Sequence, residues 1–277
     1  MPSSTFSSDQ IAGFAARYAD DGVVFVPGLL PSNFIASLLR CVDEVRAQPD
    51  KSRLPWPTVQ TFQAKGRLTI RWMWRDIDDV RRFFTDSGVA RVVAGVIGAK
   101  RLQYWYDLTF VQEPGADGEG SPWHHDIAAF CVKGTQIPSL WIALTDVSAD
   151  ASPLSCIRGS HRNRTQFRPP VYIDPSQSLP ENYAEMPDVD AAVERGDMEM
   201  LTWQVKAGDA LIIHPYTIHG AKSNRTDQAR IAFTTRWAGD DVVWKPDGFS
   251  MKVPGLDPAT LHIGRRPEGP LFPYVEL

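Results

Sequence analysis

With 277 residues, 43% of them hydrophobic and 22% charged, and a formal net charge of -4, the chain has the makeup of one large globular domain. The slight acidity argues against a nucleic-acid partner, which favours a basic face. No run nears the roughly 18 apolar residues that a membrane span needs. Cys41, Cys131 and Cys156 are too few and too scattered for a disulfide framework or a zinc ribbon. With a polar, Ser-rich start at Met1–Ser8 and no secretory pattern there, the expected location is cytoplasmic.

In chain order, Ser8 can cap a helix over Asp9–Ala19, with Ile11, Phe14, Ala15 and Tyr18 on one face. Asp21-Gly22 then turns the chain into the apolar run Val23–Val26, a predicted strand. Pro31-Ser32 opens a second helix through about Ala47, with Phe34, Ile35, Leu38, Leu39, Val42 and Val45 at helical spacing. Three prolines make 49–57 a loop, and Asp76–Gly98 reads as one or two further helices with Gly98 as a C-cap.

From residue 101 the pattern changes to short β-rich runs: Arg101–Gln112, Trp123–Phe130, Ser139–Val147, Leu201–Val205, Ala210–His214 and Arg230–Trp237. Turn signals such as Pro114-Gly115 and Ala207-Gly208-Asp209 separate them. Many short strands after a helical prologue predict a mainly β fold with flanking helices, a barrel or jelly roll. The expected organisation is a single domain, 1–277. A mostly helical buttress fills 1–100 and a jelly-roll core 101–240, with a C-terminal extension over 241–277. The Pro-rich, acidic stretch at about 168–200 reads as an insertion in that core, either a lid or an excursion, with helical pattern only at Val189–Arg195.

Trp123-His124-His125-Asp126 is the most informative tetrapeptide. Residues two apart share a strand face, so His124 and Asp126 can point together into a barrel while His125 points away. A third ligand must come from elsewhere, and Ala207–Gly220 offers His214 and His219 after an apolar strand. Two histidines and one carboxylate leave open coordination positions, the arrangement of non-haem iron(II) oxygenases. A 2-oxo acid cosubstrate with a second carboxylate then needs a cation, and arginine suits it because its guanidinium forms paired hydrogen bonds. Arg230 opens a strand eleven positions after His219, whereas the same spacing from His214 lands on Arg225 in a turn. This favours His219.

These residues resemble the phytanoyl-CoA dioxygenase-like family of iron(II)/2-oxoglutarate-dependent oxygenases, which includes ectoine hydroxylase. The matches run in order: Trp123-His124-His125-Asp126, Trp141–Val147, Arg158-Gly159-Ser160-His161, Gly208-Asp209, His219 and Arg230, preceded by Asp21–Gly28. The resemblance implies a cupin-like double-stranded β-helix and a dioxygenase that uses iron(II), 2-oxoglutarate and dioxygen on a small molecule. It implies His124, Asp126 and His219 as metal ligands, Arg230 on the far carboxylate of 2-oxoglutarate, and Trp141 lining that pocket. Gln112 stands near the cosubstrate where many members carry Lys. Arg158 and Ala221 also depart from the family's usual Pro and hydroxyl residue.

Substrate signals are weaker. Alternation along Leu102–Gln112 puts Tyr104, Tyr106, Leu108, Phe110 and Gln112 on one face, either toward the barrel or as plain core. Arg67, Arg71, Trp72, Trp74 and Arg75 form a basic-aromatic stretch that fits an anionic or aromatic substrate, or equally a solvated face. Asp126 argues against a halogenase, which vacates that position, and Arg230 against a cupin-like enzyme without a 2-oxo acid. A non-catalytic barrel module is opposed by the intact ligand set.

Overall fold

The computed structural model describes residues 6–64, 66–115, 120–169, 183–247 and 249–277. The helix Ser8–Asp21 starts one residue earlier than predicted because Ser7 and Gln10 cap it reciprocally. The Gln10 N–H donates to Ser7 Oγ (3.2 Å) and the Ser7 N–H to Gln10 Oε1 (2.8 Å). Ser32–Ala47 follows Pro31 as expected. Asp76–Gly98 resolves into two helices, Asp78–Asp86 and Val89–Ile97, parted by left-handed Gly88, and Gly98 ends the second.

These helices cover one face of an eight-stranded antiparallel sheet. Its order is Val23–Val26, Ala210–Ile213, Ser139–Ala143, Arg230–Ala238, Leu102–Gln112, Arg67–Arg71 and Gln60–Ala64, with Tyr274–Val275 also paired to the Leu102 strand. Period-two burial explains the layering. Val24, Leu140, Ile142, Ile212 and Phe233 join the helices in one apolar core. Their neighbours Trp141, Leu211 and Ala232 face the other way. They pack with Leu154 and Cys156 from a four-stranded sheet ordered Met200–Thr202, Leu154–Ile157, His219–Ala221 and Ser121–His124. Two antiparallel sheets closing on a shared interior make the double-stranded β-helix, as expected.

Three elements differ from the sequence reading. A hairpin, Gln60–Ala64 with Arg67–Arg71, extends the large sheet in the stretch expected to be a mostly helical buttress. Its inward positions are Arg67, Thr69 and Arg71, so the usual alternation of apolar-in and polar-out is absent. Asp107 fixes its end by accepting from the Met73 and Trp74 N–H groups (3.1 and 2.9 Å), while the Trp72 N–H donates to Asp107 O (3.1 Å). Leu154–Ile157 is a strand that the sequence reading passed over. The predicted strand Trp123–Phe130 is instead Ser121–His124 followed by a 3-10 turn, Asp126–Ala129. Just before the insertion, Gln166–Phe167 pairs with Tyr183–Ala184 inside it, and a helix forms at Val189–Glu194. Residues 170–182 of that stretch, read as either a lid or an excursion, lie outside the described residues.

Gly22 joins the first helix to the sheet beside the His219 loop. Its carbonyl accepts from the His214 N–H (2.8 Å) and from Thr217 Oγ1 (2.7 Å), and its φ is 79°. A Cβ there would meet His161 Nδ1 at 2.4 Å and Thr217 Oγ1 at 2.5 Å. Gly22→Ala therefore adds a left-handed penalty to a clash among buried groups, and should destabilise the protein by more than about 1 kcal/mol. Thermal denaturation should show a lower Tm, by about 2–4 °C per kcal/mol for a chain of this order of size.

Candidate metal centre

His124 ends the edge strand of the small sheet and lies in register with His219, the first residue of the neighbouring strand. Their rings are 4.2 Å apart between centroids. The chain stays extended through His125 (φ -126°, ψ 148°), so Asp126 returns to the His124 side although the strand has ended. Each Nε2 lies 3.8 Å from Asp126 Oδ1, and the three donor atoms fall within 4.8 Å of one another.

The other ring nitrogens fix the tautomers. His124 Nδ1 meets Pro122 O at 2.7 Å and His219 Nδ1 meets Thr217 O at 2.9 Å. A carbonyl only accepts, so each Nδ1 carries the proton and each Nε2 presents a lone pair. Burial and the neighbouring His219 push His124 down to about 4. Burial alone would raise the Asp126 carboxyl, but Arg236, His219 and His124 outweigh it and hold it well below the usual carboxylate range. Asp126 Oδ2 accepts from Arg236 Nη2 (2.9 Å) and from Ser139 Oγ, which turns Oδ1 toward the histidines. Two neutral imidazoles and a carboxylate on one side of a point can hold a divalent iron with positions left open.

The cluster opens into a cavity of about 100 Å³ between the two sheets. Along the strand Arg230–Ala238, the inward residues run Arg230, Ala232, Thr234 and Arg236. Arg230 is 4% exposed. Its Nη2 donates to Ser152 Oγ (3.0 Å), its guanidinium lies 5.9 Å from the Trp141 ring, and its Nε has no hydrogen-bond partner among the described residues. Ser152, left-handed at φ 60°, also donates to Lys222 O at 2.5 Å. Burial and then the charge of Arg67 bring Arg230 down to about 10. Thr234 Oγ1 is likewise buried without a partner and lines the cavity. An unpartnered guanidinium edge and a hydroxyl facing one cavity fit an anionic, oxygen-rich ligand such as a 2-oxo dicarboxylate.

His124, Asp126, His219, Arg230 and Trp141 thus share one site, and Arg71 and Tyr106 also line its cavity. Gln112 is buried in register between Arg67 and Arg230 without lining it. Tyr104 and Trp74 need correction. Both belong to the helix-side core, where Tyr104 stacks on Phe84 at 4.3 Å and meets Trp74 at 5.8 Å. The cause is a β-bulge: pairing passes from Arg236–Tyr106 to Trp237–Tyr104, leaving Trp105 as an extra residue that reverses the strand's phase. His125 accepts from the Phe167 N–H, and His214 packs on Tyr18 and His161. Arg225 is exposed in its turn. Sequence reasoning missed Arg236, Ser139 and Ser152. Only Arg236 carried a signal, since it shares strand parity with Arg230.

The phytanoyl-CoA dioxygenase (PhyH) family model matches residues 18–232. Phytanoyl-CoA dioxygenase domain-containing protein 1 of Bos taurus is 24% identical over 284 residues, covering 87% of this chain and 94% of that protein. Phytanoyl-CoA dioxygenase of Arabidopsis thaliana is 25% identical, covering 78% of this chain and 71% of that protein. Among solved structures, the epimerase SnoN in complex with Fe3+, alpha ketoglutarate and nogalamycin RO has a TM-score of 0.75 at 22% identity, covering 97% and 99% of the two chains. The chain belongs to the phytanoyl-CoA dioxygenase family and is an iron(II)- and 2-oxoglutarate-dependent dioxygenase.

Proposed function

We propose that the protein hydroxylates a C–H bond of a small molecule while 2-oxoglutarate is converted to succinate and carbon dioxide. In this reading His124, Asp126 and His219 hold the iron and Arg230 the far carboxylate of the cosubstrate. The observation that carries it is the convergence of the histidine–aspartate cluster and buried Arg230 on one cavity. When bound, iron(II) and 2-oxoglutarate supply the oxidising power drawn from dioxygen.

The chain's own residues do the positioning. Pro122 O and Thr217 O orient the two rings, while Arg236 and Ser139 keep Asp126 ionised and aimed. Ser152 orients Arg230. Tyr106, Leu108, Phe130 and Met251 form an apolar wall that can receive a substrate body and exclude water. Retention of Asp126 favours oxygen transfer over halogenation. Substrate-dependent succinate release, with the oxidised product identified by mass, tests the proposal. Succinate release without any oxygenated product would overturn it in favour of another reaction on the same cofactors.

Iron binding should require the predicted ligands and spare their neighbour. His124→Ala, Asp126→Ala and His219→Ala should each abolish activity and strip iron from the purified protein, whereas His125→Ala should retain near-stoichiometric metal. Metal analysis checks this, and the reverse pattern at 124 and 125 would refute the ligand assignment.

Arg230→Ala should raise the 2-oxoglutarate requirement while iron still binds. Stranding a carboxylate in a buried site costs roughly 3–5 kcal/mol, or about two to three and a half orders of magnitude in affinity. Exposed Arg225→Ala should change it little. Succinate formation against 2-oxoglutarate concentration separates the two variants.

A further inference from the structure

The turn that begins at Asp126 is short and leans on groups from outside it. Asp126–Ala129 is a 3-10 turn, a geometry whose internal hydrogen bonds are poor. The Phe130 N–H closes it on Ile127 O at 3.3 Å. Ile127 and Ala128 are buried, so their carbonyls need partners within the protein. Lys133 Nζ donates to Ile127 O (2.9 Å), and the Tyr183 hydroxyl lies 3.4 Å from Ala128 O. Ser250 Oγ donates to Phe130 O (3.0 Å), just past the turn.

These three side chains come from distant stretches of the chain, and Asp247 gathers them. Asp247 Oδ2 accepts from the Tyr183 hydroxyl (2.6 Å) and pairs with Lys133 Nζ (3.1 Å). The Asp247 N–H donates to Ser250 Oγ (2.8 Å), and Oδ1 accepts from the Phe249 N–H (3.1 Å). Strand pairing delivers the partners: Val132–Lys133 pairs with Val243–Trp244, and Tyr183–Ala184 with Gln166–Phe167. The Lys133 and Asp247 side chains are 14% and 27% exposed, and Tyr183 is buried, so water competes weakly for these bonds. Without the carboxylate, Lys133 and Tyr183 would lose their common acceptor, and the turn would lose the groups that meet two of its carbonyls. Resting on the reading of Asp126 as an iron ligand, we propose that Asp247 is a positioning residue for the iron site. It holds the turn in the place where the Asp126 carboxylate meets His124 and His219.

The test is anaerobic titration with iron(II) alone, in competition with a coloured chelator. The visible spectrum of the cobalt(II)-loaded protein, which reports ligand geometry, is the second readout. Asp247→Ala should weaken iron(II) binding by about tenfold and change the cobalt(II) spectrum. Tyr183→Phe and Lys133→Met should each weaken it by about threefold. Asp247→Asn, which still accepts from Tyr183, should fall between wild type and Asp247→Ala. Because these residues act through one carboxylate, Tyr183→Phe added to Asp247→Ala should cost less than about a further twofold. Ile11→Ala, in the helix-side core, is the control for lost stability alone. It should lower Tm while leaving iron(II) affinity within about twofold and the cobalt(II) spectrum unchanged. Unchanged affinity and spectrum in Asp247→Ala, a full additional loss in the double variant, or an equal loss in Ile11→Ala would each overturn the role. If Asp247→Ala does not fold, Tyr183→Phe and Lys133→Met decide: weaker iron(II) with a changed spectrum supports the role, and wild-type behaviour overturns it. Wild-type iron(II) affinity in Asp126→Ala would remove the ligand reading and the proposal with it. That outcome is distinct from Asp126→Ala losing iron while Asp247→Ala keeps it, which sinks the role of Asp247 alone.

Discussion

The buried carboxylate of Asp126 is the constraint around which the site is organised. An ionised carboxylate inside a protein is costly unless charges and hydrogen bonds answer it. Here one oxygen is answered by Arg236 and Ser139, from two adjacent strands of the large sheet. The other oxygen faces the two histidines of the small sheet. The pair Asp126–Arg236 therefore ties the sheets together at the point where the two histidines and the carboxylate converge. Removing Arg236 would leave Asp126 uncompensated and free to take up a proton, and a protonated carboxyl is a poor ligand.

The rest of the interior grades away from that pair. Ala232 pairs with Ala143, a small-residue step on the inner face that leaves room between the Arg236 end and the Arg230 end. The walls on either side differ in kind. Tyr106, Leu108 and Phe130 pack in an apolar cluster with Trp72, Trp105 and Val253, under the C-terminal segment that brings Met251 to the cavity. The Met251 N–H donates to Ala129 O (2.9 Å), at the end of the turn that Asp126 begins. The C-terminal segment thus buttresses the turn that carries Asp126 and shapes the cavity. On the other side, the hairpin contributes Arg67 and Arg71, a charged wall that a purely apolar core would not tolerate.

Backbone strain accompanies this positioning. Among the described residues, Trp72 and Ser152 are the non-glycine residues with positive φ, at 65° and 60°. Trp72 ends the hairpin and packs on Tyr106 at 4.4 Å, while Ser152 holds Arg230. Each sparsely populated conformation is over-determined by its surroundings, and each supports a side chain that lines the cavity.

The sequence by itself determined the layered fold and brought out the candidate metal-binding cluster. Period-two runs marked the strands, helical spacing marked the buttress, and His124, Asp126, His219 and Arg230 were legible because strand parity and loop spacing restrict which side chains can meet. What the tertiary structure alone decided lies where local pattern is silent or misleading. The Arg67–Arg71 strand faces inward with arginines, so its hydrophobic alternation is inverted and no local rule separates it from a surface strand. The extra residue at Trp105 reverses strand phase, which removes Tyr104 from the cavity, and a bulge shows only once the register of the neighbouring strand is known. Ser152 and Ser139 acquire their roles from partners 78 and 13 positions away. A serine's propensity holds no information about such contacts, because they follow from how the two sheets close on each other.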